Sequence, residues 1–186
     1  MTLDLFDTKE HDPGGKVKTS LPAGMTGNAY FCGENNEYRP YLYRRWGDVL
    51  NDPNYVMFVG MNPSTADANS NDPTLTRMIG FASKWGYPAC YVCNVLDYRA
   101  TFPKELIGKP ACSDENIRVI LSIAKRADRV VVCYGVLPSN LHDVAMQTIN
   151  QLRLHNIRMW CFGRTLKGHP RHPLYLRSDT PLETFT

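Results

Sequence analysis

Four short apolar runs alternate with three amphipathic helix patterns between Tyr55 and Phe162, and this alternation leaves the chain few possible folds. The runs are YVMFVG, ACYVCNV, RVVVCYG and IRMWCF, beginning at positions 55, 89, 129 and 157. Short, mostly apolar runs of this kind are typical of strands in a parallel sheet that is covered on both faces. The order β-α-β-α-β-α-β therefore predicts an α/β protein with three α/β/α layers and a four-stranded, mostly parallel sheet.

Each of the three segments between the runs carries apolar residues at helical spacing. In DPTLTRMIGFASKWG, Asp72 is expected to cap the helix and Pro73 to fit its first turn. In SDENIRVILSIAKRA, the expected cap is Ser113. The third helix is predicted over SNLHDVAMQTINQLRLH, from Ser139 to His155.

The length of 186 residues suits one domain with a substantial core. Residues 1–27 are rich in Gly, Pro, Lys and Asp and are predicted to form a loose arm, with residues 28–186 as a single α/β domain. The segments AYFCG and YRPYLYRRW flank the turn-like GENNE and predict an N-terminal β-hairpin. No run of about 18 apolar residues is present, so no membrane span is expected.

The cysteines and the charge restrict the classes of site and partner. Cys90 and Cys93 form a C-x-x-C in a predicted strand, where positions i and i+3 point to opposite faces and cannot hold one metal ion. No metal site and no cofactor are expected. Reduced cysteines and the absence of a signal peptide pattern favour a cytoplasmic protein. The net charge of +3 neither requires nor excludes nucleic acid.

Polar side chains collect after each predicted strand. Ligands of open α/β sheets bind outside the carboxyl ends of the strands, so these side chains predict a pocket. They are Asn62, Ser64, Thr65, Asp67 and Asp72 after the first run, Asn94, Asp97, Tyr98 and Arg99 after the second, Tyr134 after the third, and Arg164, Lys167, His169 and His172 after the fourth, with Arg77 included if it bends back from the first helix.

Each of these elements also has a structural alternative. NPST can be only a turn, and Asp72 only a helix cap. Arg77 can be a surface residue, and Asp97 and Arg99 can pair with each other. The histidines of HPRHP can be exposed loop residues, and the basic run from residue 151 to 177 a solvated face.

Several longer motifs resemble a known family. MNPSTAD, NDPTLTRMIGFASKWGY, CNVLDYRAT and GRTLKGHPRHPLYL occur in this order, and together they resemble the DUF1643 family of bacterial and phage proteins. The resemblance extends from roughly Tyr38 to Leu176. It implies no activity, because the family is named for its lack of an assigned function.

The layout is also similar to the uracil-DNA glycosylase superfamily, a three-layer α/β fold with four parallel strands. GMNPS, at positions 60–64, resembles the GINPG turn of the mismatch-specific branch, in which the Asn positions the attacking water. HPL, at positions 172–174, is similar to the HPSPL loop, whose His contacts the base carbonyl. Asn94 stands where that superfamily places base-reading groups. Ser64 replaces the Gly of the turn, and the acidic AD…NDPT segment is foreign to the pattern.

The resemblance implies an enzyme acting on a nucleobase or its N-glycosidic bond, in DNA or a nucleotide. Asn62 would orient a water, Asp67 or Asp72 would be the general base, and His172 or His169 would stabilise the departing base. Arg164 and Lys167 would hold phosphate, and Tyr98 or Tyr134 would stack on the base. The partner would be a nucleotide or nucleic acid, with no membrane involved.

Two other classes remain open. The pocket can belong to a non-catalytic nucleotide or nucleic-acid binding module, or to a phage-type transferase that modifies a nucleobase. The two carboxylates discriminate between catalysis and binding. Catalysis predicts that Asp67 or Asp72 reaches Asn62 or a bound water, whereas a binding module predicts that both carboxylates cap backbone N–H groups. The oligomeric state is not specified by the sequence.

Overall fold

The computed structural model describes residues 18–47 and 54–186. The strands are β1 (Thr19–Ser20), β2 (Met25–Cys32), β3 (Tyr38–Trp46), β4 (Tyr55–Gly60), β5 (Ser70–Asn71), β6 (Ala89–Asn94), β7 (Arg129–Val132), β8 (Met159–Cys161) and β9 (Glu183–Thr184). The helices are α1 (Pro73–Lys84), α2 (Asn116–Ala124) and α3 (His142–Leu154), and short 3₁₀ turns lie at Pro103–Leu106, Ser139–Leu141 and Pro173–Tyr175.

Seven of these strands form one mixed sheet in the order β2-β3-β6-β4-β7-β8-β9. The four predicted strands lie together and pair in parallel, β6 with β4, β4 with β7, and β7 with β8. The prediction of a four-stranded sheet is nevertheless wrong. The hairpin joins the sheet through antiparallel pairing of β3 with β6, and β9 adds an antiparallel edge next to β8. Both additions satisfy backbone groups that a four-stranded sheet would leave unpaired at its edges.

Alternate residues of β4 point to opposite faces of the sheet. Val56 and Phe58 pack into the core beneath α1, whereas Met57 and Val59 pack into the core beneath α2 and α3. One helix therefore covers one face and two helices cover the other. Every residue of β4 is buried, which explains why its sequence is apolar throughout rather than alternating.

The helix starts follow the predictions in part. Asp72 caps α1 as predicted, since its Oδ1 accepts the Leu75 N–H at 2.8 Å. The predicted cap at Ser113 is wrong, because α2 begins only at Asn116 and the Ser113 hydroxyl donates to the carboxylate of Asp97 instead. The third predicted helix begins with a 3₁₀ turn at Ser139 and becomes α-helical at His142.

The predicted hairpin is confirmed, with β2 and β3 antiparallel from Met25 opposite Trp46 to Cys32 opposite Tyr38. Of the arm predicted for residues 1–27, residues 1–17 lie outside the described residues. The described part of this arm contains β1 and the first residues of β2, which begins at Met25, three residues before the predicted domain boundary at residue 28.

Cys90 and Cys93 face opposite sides of β6, as predicted. Cys90 lies in the core beneath α1 and Cys93 in the core beneath α2 and α3. Burial raises the pKa of the Cys90 thiol to about 12 and also raises that of Cys93. Within residues 18–47 and 54–186, no three His, Cys, Asp or Glu side chains are grouped so that they could hold a metal ion.

No helix in the described parts of the chain combines the length and the apolar character needed to cross a membrane.

Candidate functional site

A cavity of about 250 Å³ opens beside the carboxyl ends of β4 and β6. The cavity is lined by residues of the hairpin, the turn after β4, the start of α1, the end of β6 and the loop before β9. The predicted residues that line it are Asn62, Ser64, Asp72, Asn94, Tyr134 and His172. Apolar side chains complete the walls, among them Leu42, Leu75, Met78 and Val92. An apolar cavity with a few polar groups is the usual form of a small-molecule site.

Asn62 is held in one orientation by two backbone carbonyls. Its Nδ2 donates to the carbonyls of Ala100 at 2.7 Å and Pro63 at 3.0 Å. Two acceptors fix which end of the amide carries the hydrogens. The Oδ1 of Asn62 has no hydrogen-bond partner among the described residues and is the end left to accept from a ligand or water.

Asn94, at the end of β6, is only 3% exposed, yet its Nδ2 has no hydrogen-bond partner in the part of the chain that the structure describes. Its backbone carbonyl accepts from the Asn116 amide of α2 at 3.2 Å, which anchors the strand end. Gly60 makes room for the side chain, since a Cβ at position 60 would lie 2.7 Å from the Asn94 Oδ1. The amide is therefore positioned at the cavity wall with a donor unused.

Arg39 on β3 is a cavity residue that the sequence-based prediction missed. It is 3% exposed and donates through Nη1 to the carbonyl of Ala66, while its Nε has no partner among the described residues. Burial lowers the pKa of Arg39 to about 10, although the nearby Asp72 carboxylate opposes this shift. A signal was available, because an arginine within the otherwise aromatic start of YRPYLYRRW is unusual for a strand that joins a covered sheet.

The two candidate carboxylates both cap backbone N–H groups. Asp72 lines the cavity, but its Oδ1 accepts from Leu75 N. Asp67 lies away from the cavity wall, where it accepts from Asn69 N at 2.9 Å and pairs with Lys18 Nζ at 3.3 Å. Neither carboxylate bonds to Asn62. Both carboxylates therefore have the backbone contacts predicted for a binding module, and the choice between binding and catalysis stays a prediction.

Two replacements of Asp72 separate the contribution of its helix cap to stability from that of its charge. Asp72→Asn retains an oxygen that can accept from Leu75 N, so its free energy of unfolding should stay close to the wild-type value. Asp72→Ala removes the cap and should cost about 1 kcal/mol. Urea denaturation of both variants measures the difference. Equal destabilisation by Asn and Ala would show that the carboxylate charge, and not the cap, is what matters at this position.

The loop after β8 reaches the cavity through His172. The Nδ1 of His172 accepts from Leu174 N at 3.4 Å, so the neutral ring carries its proton on Nε2. Gly135, with φ of +74°, donates to the Pro170 carbonyl at 3.0 Å and lies against His172. Tyr134 is 3% exposed and its hydroxyl contacts Met146 Sδ at 3.9 Å, so this ring is largely a core residue.

Several predicted site residues are bound elsewhere by their neighbours. Arg77 donates to the Leu176 carbonyl and lies over the Phe81 ring. Asp97 is fully buried and accepts from Ser113 N at 2.7 Å. Tyr98 packs edge-to-face on Tyr38, and Arg99 donates to the Asn36 carbonyl and lies over Phe31. Thr65 is buried behind the turn and does not line the cavity.

The basic residues of the last loop also lie away from the cavity. Arg164 donates to the carbonyls of Gly168 at 3.2 Å and Thr186 at 3.0 Å. Lys167 and His169 line a separate surface depression with His142. The assignment of Arg164 and Lys167 to phosphate binding, and of His169 to stabilising the departing base, stays a prediction, and the loops do not bring all the candidates to one place.

A model of the DUF1643 family, described as a protein of unknown function, matches residues 39–174. This span begins at Arg39 and contains every polar cavity residue named above. No curated protein and no solved structure matches the chain.

Proposed function

The chain belongs to the DUF1643 family, and because that family's description assigns no activity, we propose from the cavity that the protein binds a nucleobase, carried by a nucleotide or by nucleic acid. The observation that carries this proposal is Asn94, whose buried Nδ2 lacks a partner among the described residues. An amide offers a donor and an acceptor side by side, which matches the paired groups on the edge of a nucleobase. An unsatisfied buried donor costs about 1–3 kcal/mol, which a base would recover once the Asn94 amide turns toward the cavity.

The shape of the cavity supports a single ring. Its volume of about 250 Å³ is below the roughly 300–1,000 Å³ of pockets that enclose drug-sized ligands. Leu42, Leu75 and Met78 offer apolar contact to the ring. A sugar would then lie near Tyr175, which is 90% exposed and borders the cavity. A base in duplex DNA would have to leave the stack to enter.

Hydrolysis of the N-glycosidic bond, as in the uracil-DNA glycosylases that the sequence resembles, is a second candidate. Asn62 favours it, because its anchored amide presents Oδ1 as an acceptor that can orient a water. His172 lines the cavity and would stabilise the departing base, as the resembling HPSPL loop does. Neither Asp67 nor Asp72 is hydrogen-bonded to Asn62, and Asp67 lies away from the cavity wall, so binding without turnover is the main proposal.

The test of binding is calorimetric titration with the common nucleosides and with short DNA containing one uracil or one mismatch. Asn94→Ala should weaken binding by about 10- to 100-fold, the equivalent of one unpaired buried hydrogen-bonding group. Asn150→Ala, an exposed position on α3, is the matched control and should bind like wild type. Failure of every nucleoside and DNA to bind, or wild-type affinity in Asn94→Ala, would refute the proposal.

Turnover is tested separately by chromatography for released base. Release by wild type that Asn62→Ala and His172→Ala both abolish would establish hydrolysis. Binding that is not followed by release at any pH would eliminate hydrolysis and leave a binding module.

A further inference from the structure

The buried side-chain atoms of the cavity wall that lack partners share one property, which is that all of them can donate a hydrogen bond. Among the described residues they are Arg39 Nε, Ser64 Oγ and Asn94 Nδ2. Guanidinium and amide nitrogens only donate, and a hydroxyl can donate or accept. A ligand that satisfies all three must therefore present acceptors to this part of the wall.

The guanidinium of Arg39 is oriented for two acceptors at once. Its Nη1 is occupied by the carbonyl of Ala66. The opposite edge, formed by Nε and Nη2, makes no hydrogen bond to any described residue. A pair of N–H groups on one edge of a guanidinium matches the two oxygens of a carboxylate or phosphate.

The charge of Arg39 is attracted by the Asp72 and Asp67 carboxylates, but no carboxylate among the described residues forms an ion pair with it. The side chain is 3% exposed, and its one protein partner is a neutral carbonyl. Burial lowers the pKa of Arg39 to about 10, so the group is still a cation at neutral pH. A buried cation without a paired anion is unfavourable, and a bound anion would relieve this cost.

Among the described residues, Asp72 is the one carboxylate on the cavity wall, and its charge has its own local partner. Its Oδ1 accepts from Leu75 N at the N-terminus of α1. The first turn of a helix exposes N–H groups and the positive end of the helix dipole, both of which stabilise a carboxylate. Asp72 is therefore partly neutralised by the helix and forms no ion pair with Arg39.

We propose that the cavity contains an oxyanion subsite, in which Arg39 with Ser64 binds a carboxylate or phosphate group of the ligand, next to the Asn94 amide that contacts the base. The proposal deepens the proposed function and rests on it for the rest of the ligand, since it specifies an anionic nucleobase derivative or nucleotide. The shared chemistry is a planar or tetrahedral oxyanion. It can come from a carboxylate on the base or from the phosphate of the nucleotide.

The experiment compares matched ligands that differ by one anionic group. Calorimetric titrations of wild type with uridine against uridine monophosphate test the phosphate, and titrations with uracil against orotate test the carboxylate. Wild type should prefer the anionic member of one pair by about tenfold or more, the value of a charge-assisted bidentate contact. The pair that shows the preference identifies the source of the oxyanion.

Two variants assign the preference to Arg39. Arg39→Gln should remove it and bring the two members of the pair to within about twofold of each other, and Arg39→Lys should reduce it because a lysine lacks the two-donor edge. Arg45→Gln, on the same strand but outside the cavity wall, is the control and should keep the full preference. Equal binding of anionic and neutral ligands by wild type, or an undiminished preference in Arg39→Gln, would overturn the proposal.

A second measurement does not depend on the folding of a variant. The Arg39 Nε–H resonance of the wild-type protein should shift on titration with inorganic phosphate or acetate if the subsite binds an oxyanion. No shift with either probe, nor with orotate or uridine monophosphate, would refute the subsite. A shift with phosphate in a protein that binds no nucleoside would keep the subsite and refute the nucleobase. Nucleoside binding that depends on Asn94 but shows no anion preference would refute the subsite and keep the nucleobase.

Discussion

Arg44→Met is expected to lower the free energy of unfolding by about 3 kcal/mol. Arg44 on β3 is completely buried. It donates to Asn71 Oδ1 at 2.8 Å, to the Ser70 carbonyl at 2.8 Å and to the Asp67 carbonyl. Methionine fills much of the same volume but leaves these acceptors without a donor, and each buried unpaired acceptor costs about 1–3 kcal/mol.

Urea denaturation of Arg44→Met, with Arg45→Met as the control, measures this effect. Arg45 is the next residue on the same strand but is only half-buried, so its replacement should change stability by less than about 1 kcal/mol. A similar loss in both variants would mean that the destabilisation comes from strand pairing and not from the hydrogen bonds of Arg44 to residues 67–71.

These hydrogen bonds also bear on function. Arg39 bonds to Ala66 and Arg44 bonds to Asp67 and Ser70, so the two arginines together hold the segment that precedes Asp72.

Gly60→Ala is expected to weaken ligand binding by about 10- to 100-fold while changing the free energy of unfolding by no more than about 1 kcal/mol. A Cβ at position 60 would lie 2.7 Å from Asn94 Oδ1, closer than such contacts allow. The neighbour is the end of a side chain and not backbone, so we expect the Asn94 amide to move and the strand to stay in place. The proposed base-reading group would then be misdirected in a folded protein.

The double variant Gly60→Ala with Asn94→Ala tests this mechanism by titration with uridine. If the added methyl acts only by displacing the amide, it should have little further effect once the amide is absent. Gly80→Ala in α1 is the matched glycine control, since nothing lies within 4 Å of its added Cβ. It should bind ligand like wild type and stabilise the helix by about 0.5–1 kcal/mol. Additive losses in the double variant would contradict a route through Asn94.

Local patterns predicted the parts of the fold that depend on near neighbours along the chain. The four central strands, the cap at Asp72 and the opposite faces of Cys90 and Cys93 follow from spacings of two to four residues. The same reasoning identified six of the cavity residues, because the carboxyl ends of parallel strands lie at one edge of a sheet. The same reasoning wrongly predicted Ser113 as the cap of α2. Its hydroxyl donates to Asp97, 16 residues earlier in the chain, which no local pattern indicates.

The sequence by itself determined which segments become strands and helices and which polar groups follow them, since periodicity and capping act within a few residues. Only the tertiary structure decided which of those groups meet. Pairing of β3 with β6 brings Arg39 to the cavity, whereas Asp67 lies away from it and pairs with Lys18, 49 residues earlier in the chain. Arg164 is likewise drawn to the C-terminal Thr186. These contacts join residues distant in sequence or compete with local turns, so their outcome depends on packing that no short window of residues contains.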